Sequence, residues 1–317
     1  MGAPGIVAGM TDSPANPSPV VVVTGANGLV GARVCAALVE RGALVRAVVR
    51  RPGTAPTLPG VQERVGDFPD PDFAADVVVG ASAVVTTVHP MGSPLEHQRE
   101  IGVEGTPVIA RAAAAAGVGR FVHVSTAAVY DRSPDVGDVD ESSSLVGDEA
   151  GDYPVTKRDT DAALAEVDGI TRVLVRPPAI LGPGASSLWN TLRPAAVRDD
   201  ERARHTLPHQ TFSWVHVDDL AALIADVATG RIATSTDPGA GPVAGGCTPV
   251  NAAAGPATNR DYHGAVTAAV GVEPVWDDGP AWTGKIGSAR AHAWGWRPQV
   301  DLEQALAELD AGLRGPE

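Results

Sequence analysis

The stretch Val20-Val-Val-Val-Thr24-Gly25-Ala26-Asn27-Gly28-Leu29-Val30-Gly31 decides how the rest of the chain is read. Consecutive β-branched side chains suit a strand buried on both faces. Glycines at 25, 28 and 31 then punctuate a sharp turn into the amphipathic run Leu29 to Arg41, read as a helix. Each glycine has a separate use. The first makes the turn, the second lets a pyrophosphate approach the backbone, and the third lets the helix pack on the strand. Free N–H groups at the helix start, at Leu29 and Val30, would then hold the phosphates, with Asn27 in the turn. The spacing is G-x-x-G-x-x-G and not the G-x-G-x-x-G fingerprint. A valine run before the glycines and an amphipathic run after them therefore carry the assignment.

The same rhythm continues outward. Strands are expected at 43–49, 61–65, 83–88, 121–125 and 172–175, and helices at 72–80, 95–116 and 153–167. Such alternation predicts an α/β protein, a Rossmann-type doubly wound parallel sheet over residues 20–185. Beyond 185 the rhythm breaks. Short strands and the helices 218–229, 259–270 and 301–313 suit a smaller C-terminal substrate-binding lobe over 186–317. Segments near 212–229 and 247–252 are expected to return to the first domain. The acidic loop 131–150 is longer than most structureless connections and is a candidate rim of an active site.

Composition narrows the function classes. The chain has 317 residues and a net charge of −14, which argues against nucleic acid or an anionic membrane as partner. Any anionic cofactor then needs local cations. Cys35 and Cys247 offer neither a disulfide framework nor zinc spacing, and no metal site is expected. No apolar run reaches the about 18 residues of a membrane span. Residues 1–19, rich in Gly, Pro, Ser and Ala, are read as a disordered leader without signal-peptide character, and the expected location is cytoplasmic.

Tyr153 and Lys157 stand four apart at the start of a predicted helix, so their side chains share a face. A nearby ammonium favours the phenolate, and the pair could then exchange a proton during carbonyl/alcohol interconversion. Further along the chain come Val124-Ser125-Thr126-Ala-Ala-Val-Tyr130, Tyr153-Pro-Val-Thr-Lys157, Arg176-Pro-Pro-Ala-Ile-Leu-Gly-Pro183 and Trp214-Val-His-Val-Asp-Asp-Leu220. With the glycine turn, these ordered motifs resemble the extended short-chain dehydrogenase/reductase superfamily, which includes sugar-nucleotide epimerases and dehydratases. The likeness runs from residue 20 nearly to the end.

The resemblance implies a Thr126/Tyr153/Lys157 catalytic set, with Ser125 and Pro177 near the nicotinamide and Lys157 on its ribose. It implies that Asp67-Phe68 is the adenine-binding pair, and that a homodimer forms through 95–116 and 153–167. Arg50 and Arg51 end the second strand where NAD-preferring members place a carboxylate, so NADP(H) is favoured over NAD(H), with Arg33 assisting from the helix.

Departures from the family pattern inform the substrate. Ala127-Ala128 replaces the dehydratases' Asp-Glu, Ala179 replaces an Asn of sugar-nucleotide enzymes, and their diphosphate-binding Arg near Phe212 is missing. Gly102 stands where the family carries a helix Asn. His89, Ala127, Trp189, Phe212 and Trp214 are candidates to line the substrate pocket. The expected activity is NADP(H)-dependent carbonyl/alcohol interconversion on a small, uncharged, apolar or aromatic metabolite. The alternatives are a sugar-nucleotide epimerase with retained cofactor, or a non-redox isomerase or cofactor sensor on the same fold.

Overall fold

The computed structural model describes residues 18–314, so the expected leader falls almost wholly outside the described residues. Strands β1 (Val20–Thr24), β2 (Leu44–Val49), β3 (Val61–Val65), β4 (Ala83–Thr86), β5 (Arg120–Val124) and β6 (Thr171–Arg176) alternate with helices α1 (Leu29–Glu40), α2 (Pro71–Val77), α3 (Leu95–Arg99), α4 (Thr106–Ala115) and α5 (Asp152–Ala165). Next come β7 (Ala179–Leu181), α6 (Arg193–Asp199), β8 (His205–Thr206), β9 (Thr211–His216) and α7 (Val217–Ala228). The chain ends with β10 (Cys247–Asn251), β11 (Gly255–Thr258), α8 (Asn259–Val270), β12 (Val275–Trp276), α9 (Ala289–Ala293) and α10 (Leu302–Arg314).

Seven parallel strands form one sheet in the order β3-β2-β1-β4-β5-β6-β10. The valine run lies at its middle, and the alternation of its side chains explains why. Val21 and Val23 point into a core with Val34, Leu38, Leu223 and Ile224 of α1 and α7. Val22 points the other way, into a core with Val77, Ile109, Phe121 and Leu164. Both faces are covered, so both face sets must be apolar. The strand order reverses between β1 and β4, with later strands added on the other side of β1, leaving a crevice beyond their C-terminal ends, where ligands of such sheets bind.

Several expected boundaries move. The fourth strand stops at Thr86, short of Val88. The helix expected over 95–116 is broken by a π-helical turn, Glu100–Gly105. Pro107, at the start of α4, has no N–H to continue the ladder, so the backbone resets there. The loop 131–150 is pinned at several points: Tyr130 bridges Leu145, Val139 bridges Ile286, and Val139 N–H donates to Lys285 O at 2.9 Å. Of the segments expected back on the main sheet, α7 packs on α1 and β10 pairs with β6. Strand β9 instead joins β7 and β11 in a separate three-stranded sheet. That sheet packs Leu181, Phe212, Trp214, Tyr262 and Leu309 into a third core, which supports the second lobe. Among the described residues, no helix is long and apolar enough to cross a membrane.

Candidate active site

A cavity of about 820 Å³ opens at the crevice between β1 and β4 and is lined by Gly25, Asn27, Gly28, Leu29 and Val30. Gly25 has φ +68°, and a Cβ there would stand 2.7 Å from Thr87 Oγ1. A Cβ on Gly31 would overlap the Gly25 carbonyl and lie 3.0 Å from Ala26 Cα, so this glycine lets α1 seat against the turn. Gly28 differs. Its Cβ would meet only Gly25 O, at 3.3 Å, and the rest of its approach is open. Gly28 caps α1 without any side-chain acceptor, and the first turn carries no acidic residue. An anion is therefore favoured at that helix end. The cradle fits a dinucleotide pyrophosphate.

Asp67, Phe68 and Arg50 line the far end of the same cavity. Arg51 is exposed and lies off its wall. Arg33 sits 3.6 Å from Asp218 on the surface, and no wall of either cavity includes it. The loop after β2 is held by Glu63, whose carboxylate accepts N–H bonds from Gly53, Thr54 and Ala55 at 2.9, 3.1 and 3.1 Å. Those bonds hold its pKa below the usual range. Asn27 Nδ2 reaches Thr54 Oγ1 at 3.4 Å, tying the glycine turn to this loop.

Thr126, Tyr153, Lys157, Ser125 and Pro177 share the cavity wall. Thr126 follows β5 and caps a short 3-10 turn, its Oγ1 accepting Ala128 N–H at 3.1 Å. Burial pushes the Tyr153 phenol above its ordinary pKa; a hydrogen bond with Thr126 counters this and the Asp161 charge adds to it. Lys157 Nζ donates to Val124 O at 2.8 Å, and the neighbouring charge that supports it is Asp161. Burial lowers its pKa to about 8. Burial of the phenol therefore opposes the phenolate form that a neighbouring ammonium would favour. Beneath, Asp161 pairs with Arg176 at 3.0 Å, and Arg176 Nη1 donates to Tyr130 OH at 3.0 Å.

His89 stands edge-on to Tyr153, ring centroids 4.9 Å apart. Its Nε2–H donates to Gln98 Oε1 at 3.1 Å, and Gln98 Nε2 is committed to Ser93 O at 2.8 Å. Burial, then the Lys157 charge, lowers the His89 pKa to about 4, so the ring is neutral at pH 7. A second cavity of about 460 Å³ adjoins the first at Thr126 and Tyr153. Trp189, Phe212 and Tyr262 form an aromatic wall, with Phe212 stacked on Tyr262 at 4.3 Å.

Two expected lining residues are elsewhere. Trp214 is buried in the core of the smaller lobe, and Ala127, which opens the 3-10 turn, is buried in a cluster with Tyr130 and Trp282. Gly102 faces Thr160, whose Oγ1 would stand 2.8 Å from a Cβ, so a side chain here would require Thr160 to shift. Sequence reasoning missed Gln98, Tyr262, Arg132 and Arg193. Gln98 sits four residues after Pro94 on a helical face and gave no signal. The other three reach the second cavity from segments far apart in the chain. Among the described residues, no cluster of three or more His, Cys, Asp or Glu side chains is placed to hold a metal.

The glycine cradle, the switch-point crevice and the Tyr-Lys helix define a dinucleotide-binding oxidoreductase-type fold. A family model described as NAD(P)H-binding matches residues 25–230. The chain belongs to this NAD(P)H-binding family, within the extended short-chain dehydrogenase/reductase superfamily. It is 31% identical over 184 residues to a 3β-hydroxysteroid dehydrogenase/Δ5→4-isomerase of Mycobacterium tuberculosis, covering 54% of this chain and 50% of that one. It is 32% identical over 174 residues to a 2-alkyl-3-oxoalkanoate reductase of Stenotrophomonas maltophilia, covering 53% of each. The chain thus spans about half the length of curated relatives it matches. The Bordetella bronchiseptica enzyme WbmG in complex with NAD shares the fold, with a TM-score of 0.73 at 17% identity over 95% of this chain and 97% of that one.

Proposed function

We propose that this protein is an NADP(H)-dependent oxidoreductase interconverting a carbonyl and an alcohol on a small substrate with an apolar or aromatic body. One observation carries the reading: the glycine-cradled cavity and the aromatic chamber meet at Thr126 and Tyr153. A bound nicotinamide supplies hydride to the carbonyl carbon, or accepts it from the alcohol carbon in reverse. The chain's own groups handle the oxygen. Tyr153, kept protonated by burial, is an acid aimed where a carbonyl oxygen would lie, and Thr126 offers a second hydroxyl there. Lys157, Val124 and Asp161 fix the base of the site, and neutral His89 with Gln98 closes its side against water.

Preference for the 2′-phosphorylated cofactor is supported by Arg50 on the cavity wall and by the fate of Glu63. That carboxylate is occupied by three loop N–H groups, which leaves it poorly placed to take ribose hydroxyls. The M. tuberculosis relative is named a hydroxysteroid dehydrogenase and the S. maltophilia one an oxoalkanoate reductase, both consistent with carbonyl/alcohol chemistry. The test is calorimetric NADPH binding, then nicotinamide absorbance with a panel of aryl and alkyl ketones. Tyr153→Phe should bind NADPH as before and lose about 10²- to 10⁴-fold in turnover, the usual worth of a general acid. Absence of nicotinamide binding, or full turnover by the phenylalanine variant, would defeat the proposal.

A further inference from the structure

The chamber beyond Tyr153 carries more charge than an uncharged substrate explains. Its wall includes two guanidinium groups, Arg132 from the loop after β5 and Arg193 from the start of α6, and no Asp or Glu. The bias is local, because acids exceed bases by 14 across the whole chain. Among the described residues, neither guanidinium has an ion pair or a hydrogen bond to the protein. Each is instead laid over an indole: Arg193 Cζ is 5.0 Å from the Trp189 ring centre and Arg132 Cζ is 5.6 Å from that of Trp282. Stacking occupies the flat face and leaves the N–H edges available, the arrangement that suits Arg for carboxylate or phosphate.

Trp282, which supports Arg132, is itself anchored, its Nε1 donating to Gly137 O at 2.9 Å. The Arg132 platform is therefore part of the folded loop.

We infer that the substrate bears an anionic group, a carboxylate or a phosphate, held in this chamber by Arg132 and Arg193, while its apolar body lies against Trp189, Phe212 and Tyr262. The inference rests on the carbonyl reductase reading and deepens it by naming the substrate class. It differs from the uncharged metabolite expected from sequence.

Binding alone tests it, without turnover. Calorimetry on the full chain would compare 3-phenylpropanoate, phenyl phosphate and the neutral 3-phenylpropanamide. At least one anion should bind tenfold or more tightly than the amide, and that advantage should shrink as salt rises. The tighter of the two anions identifies the group. Arg193→Gln and Arg132→Gln should each reduce the advantage at least fivefold, and Arg193→Lys should restore part of it. Unchanged NADPH affinity in the variants shows that they are folded. Equal binding of all three probes, or an advantage that survives both glutamine variants, overturns the inference. An anion advantage in a protein that binds no nicotinamide nucleotide would sink the reductase reading and leave the anion site standing.

Discussion

Two glycines of the same turn with different roles, Gly28 and Gly31, give the sharpest test of the cofactor cradle. In Gly31→Ala the new methyl collides with backbone: Gly25 O is inside van der Waals contact and Gly25 C only 2.8 Å away. Alanine gains about 1 kcal/mol of helix propensity at that position. Overpacking against a backbone that cannot rotate aside costs about 3 kcal/mol, the upper end of the usual range. The net loss is about 2 kcal/mol, several degrees in Tm for a chain of this size. Gly28→Ala is different, because its backbone, φ −80° and ψ 170°, accepts alanine and its nearest obstacle is 3.3 Å away. Losing a glycine N-cap costs up to about 1 kcal/mol. A pyrophosphate pushed off the helix N–H groups forfeits about 1.5–3 kcal/mol of charge-assisted bonding, or roughly 10- to 100-fold in affinity. Denaturant melts and NADPH calorimetry on both variants should therefore separate. Gly31→Ala loses stability, whereas Gly28→Ala keeps most of its stability and loses cofactor. A Gly28→Ala protein that binds NADPH like the parent, or a Gly31→Ala protein as stable as the parent, refutes the assignment of these roles.

Arg50→Ala should weaken NADPH about tenfold and leave NADH nearly unchanged, since an exposed charge-assisted contact is worth about 1.5 kcal/mol; calorimetry with both nucleotides reads the ratio. His89 binds its proton less readily in the folded chain, at about 4 against an ordinary 6.5, so the unfolded chain holds more protons between those values. Its contribution is full above pH 6.5 and is lost as pH falls through 4; His89→Gln should flatten that acid slope by about 2–3 kcal/mol. Asp161→Asn leaves Arg176 and Lys157 buried without their carboxylate, with an expected cost of about 3–5 kcal/mol in denaturant melts. The same change should move the alkaline limb of the pH–rate profile to lower pH, because Asp161 supports the Lys157 charge.

The parallel sheet was legible because its signal is local. Short apolar runs rich in β-branched residues and buried on both faces, closed by glycine or by a polar break, specify β1, β2, β4 and β5 without reference to partners. The four-residue spacing of Tyr153 and Lys157 made their shared helix face legible, whereas Thr126 was expected beside them only through the resemblance to the family's motif; all three line the same cavity. The break at Glu100–Gly105 was hidden because the run around it keeps helical periodicity; Pro107 was the one usable sign. Phe212 and Trp214 looked equivalent on paper. Both turn toward the smaller lobe's core, and only Phe212 also reaches the chamber, because Trp189 and Tyr262 approach it there from other segments. The bare guanidinium edges of Arg132 and Arg193 could not be read at all. Lack of a partner is a property of the folded neighbourhood and not of spacing.

The order in which the site's protons leave connects these observations to direction. An ammonium that stabilised phenolate would make Tyr153 the easier group to deprotonate. Here the ranking is reversed: burial raises the phenol above its ordinary value, while burial lowers Lys157 to about 8 in spite of Asp161. As pH rises, the lysine therefore loses its proton before the tyrosine does, and the phenol enters the neutral range as an acid. A phenol kept in its acid form in this way fits the proton-donor role proposed above for Tyr153 when a carbonyl is reduced. Chemistry in the reductive direction should then hold up towards low pH until His89 takes on charge beside Tyr153 near pH 4 and disturbs the wall it completes.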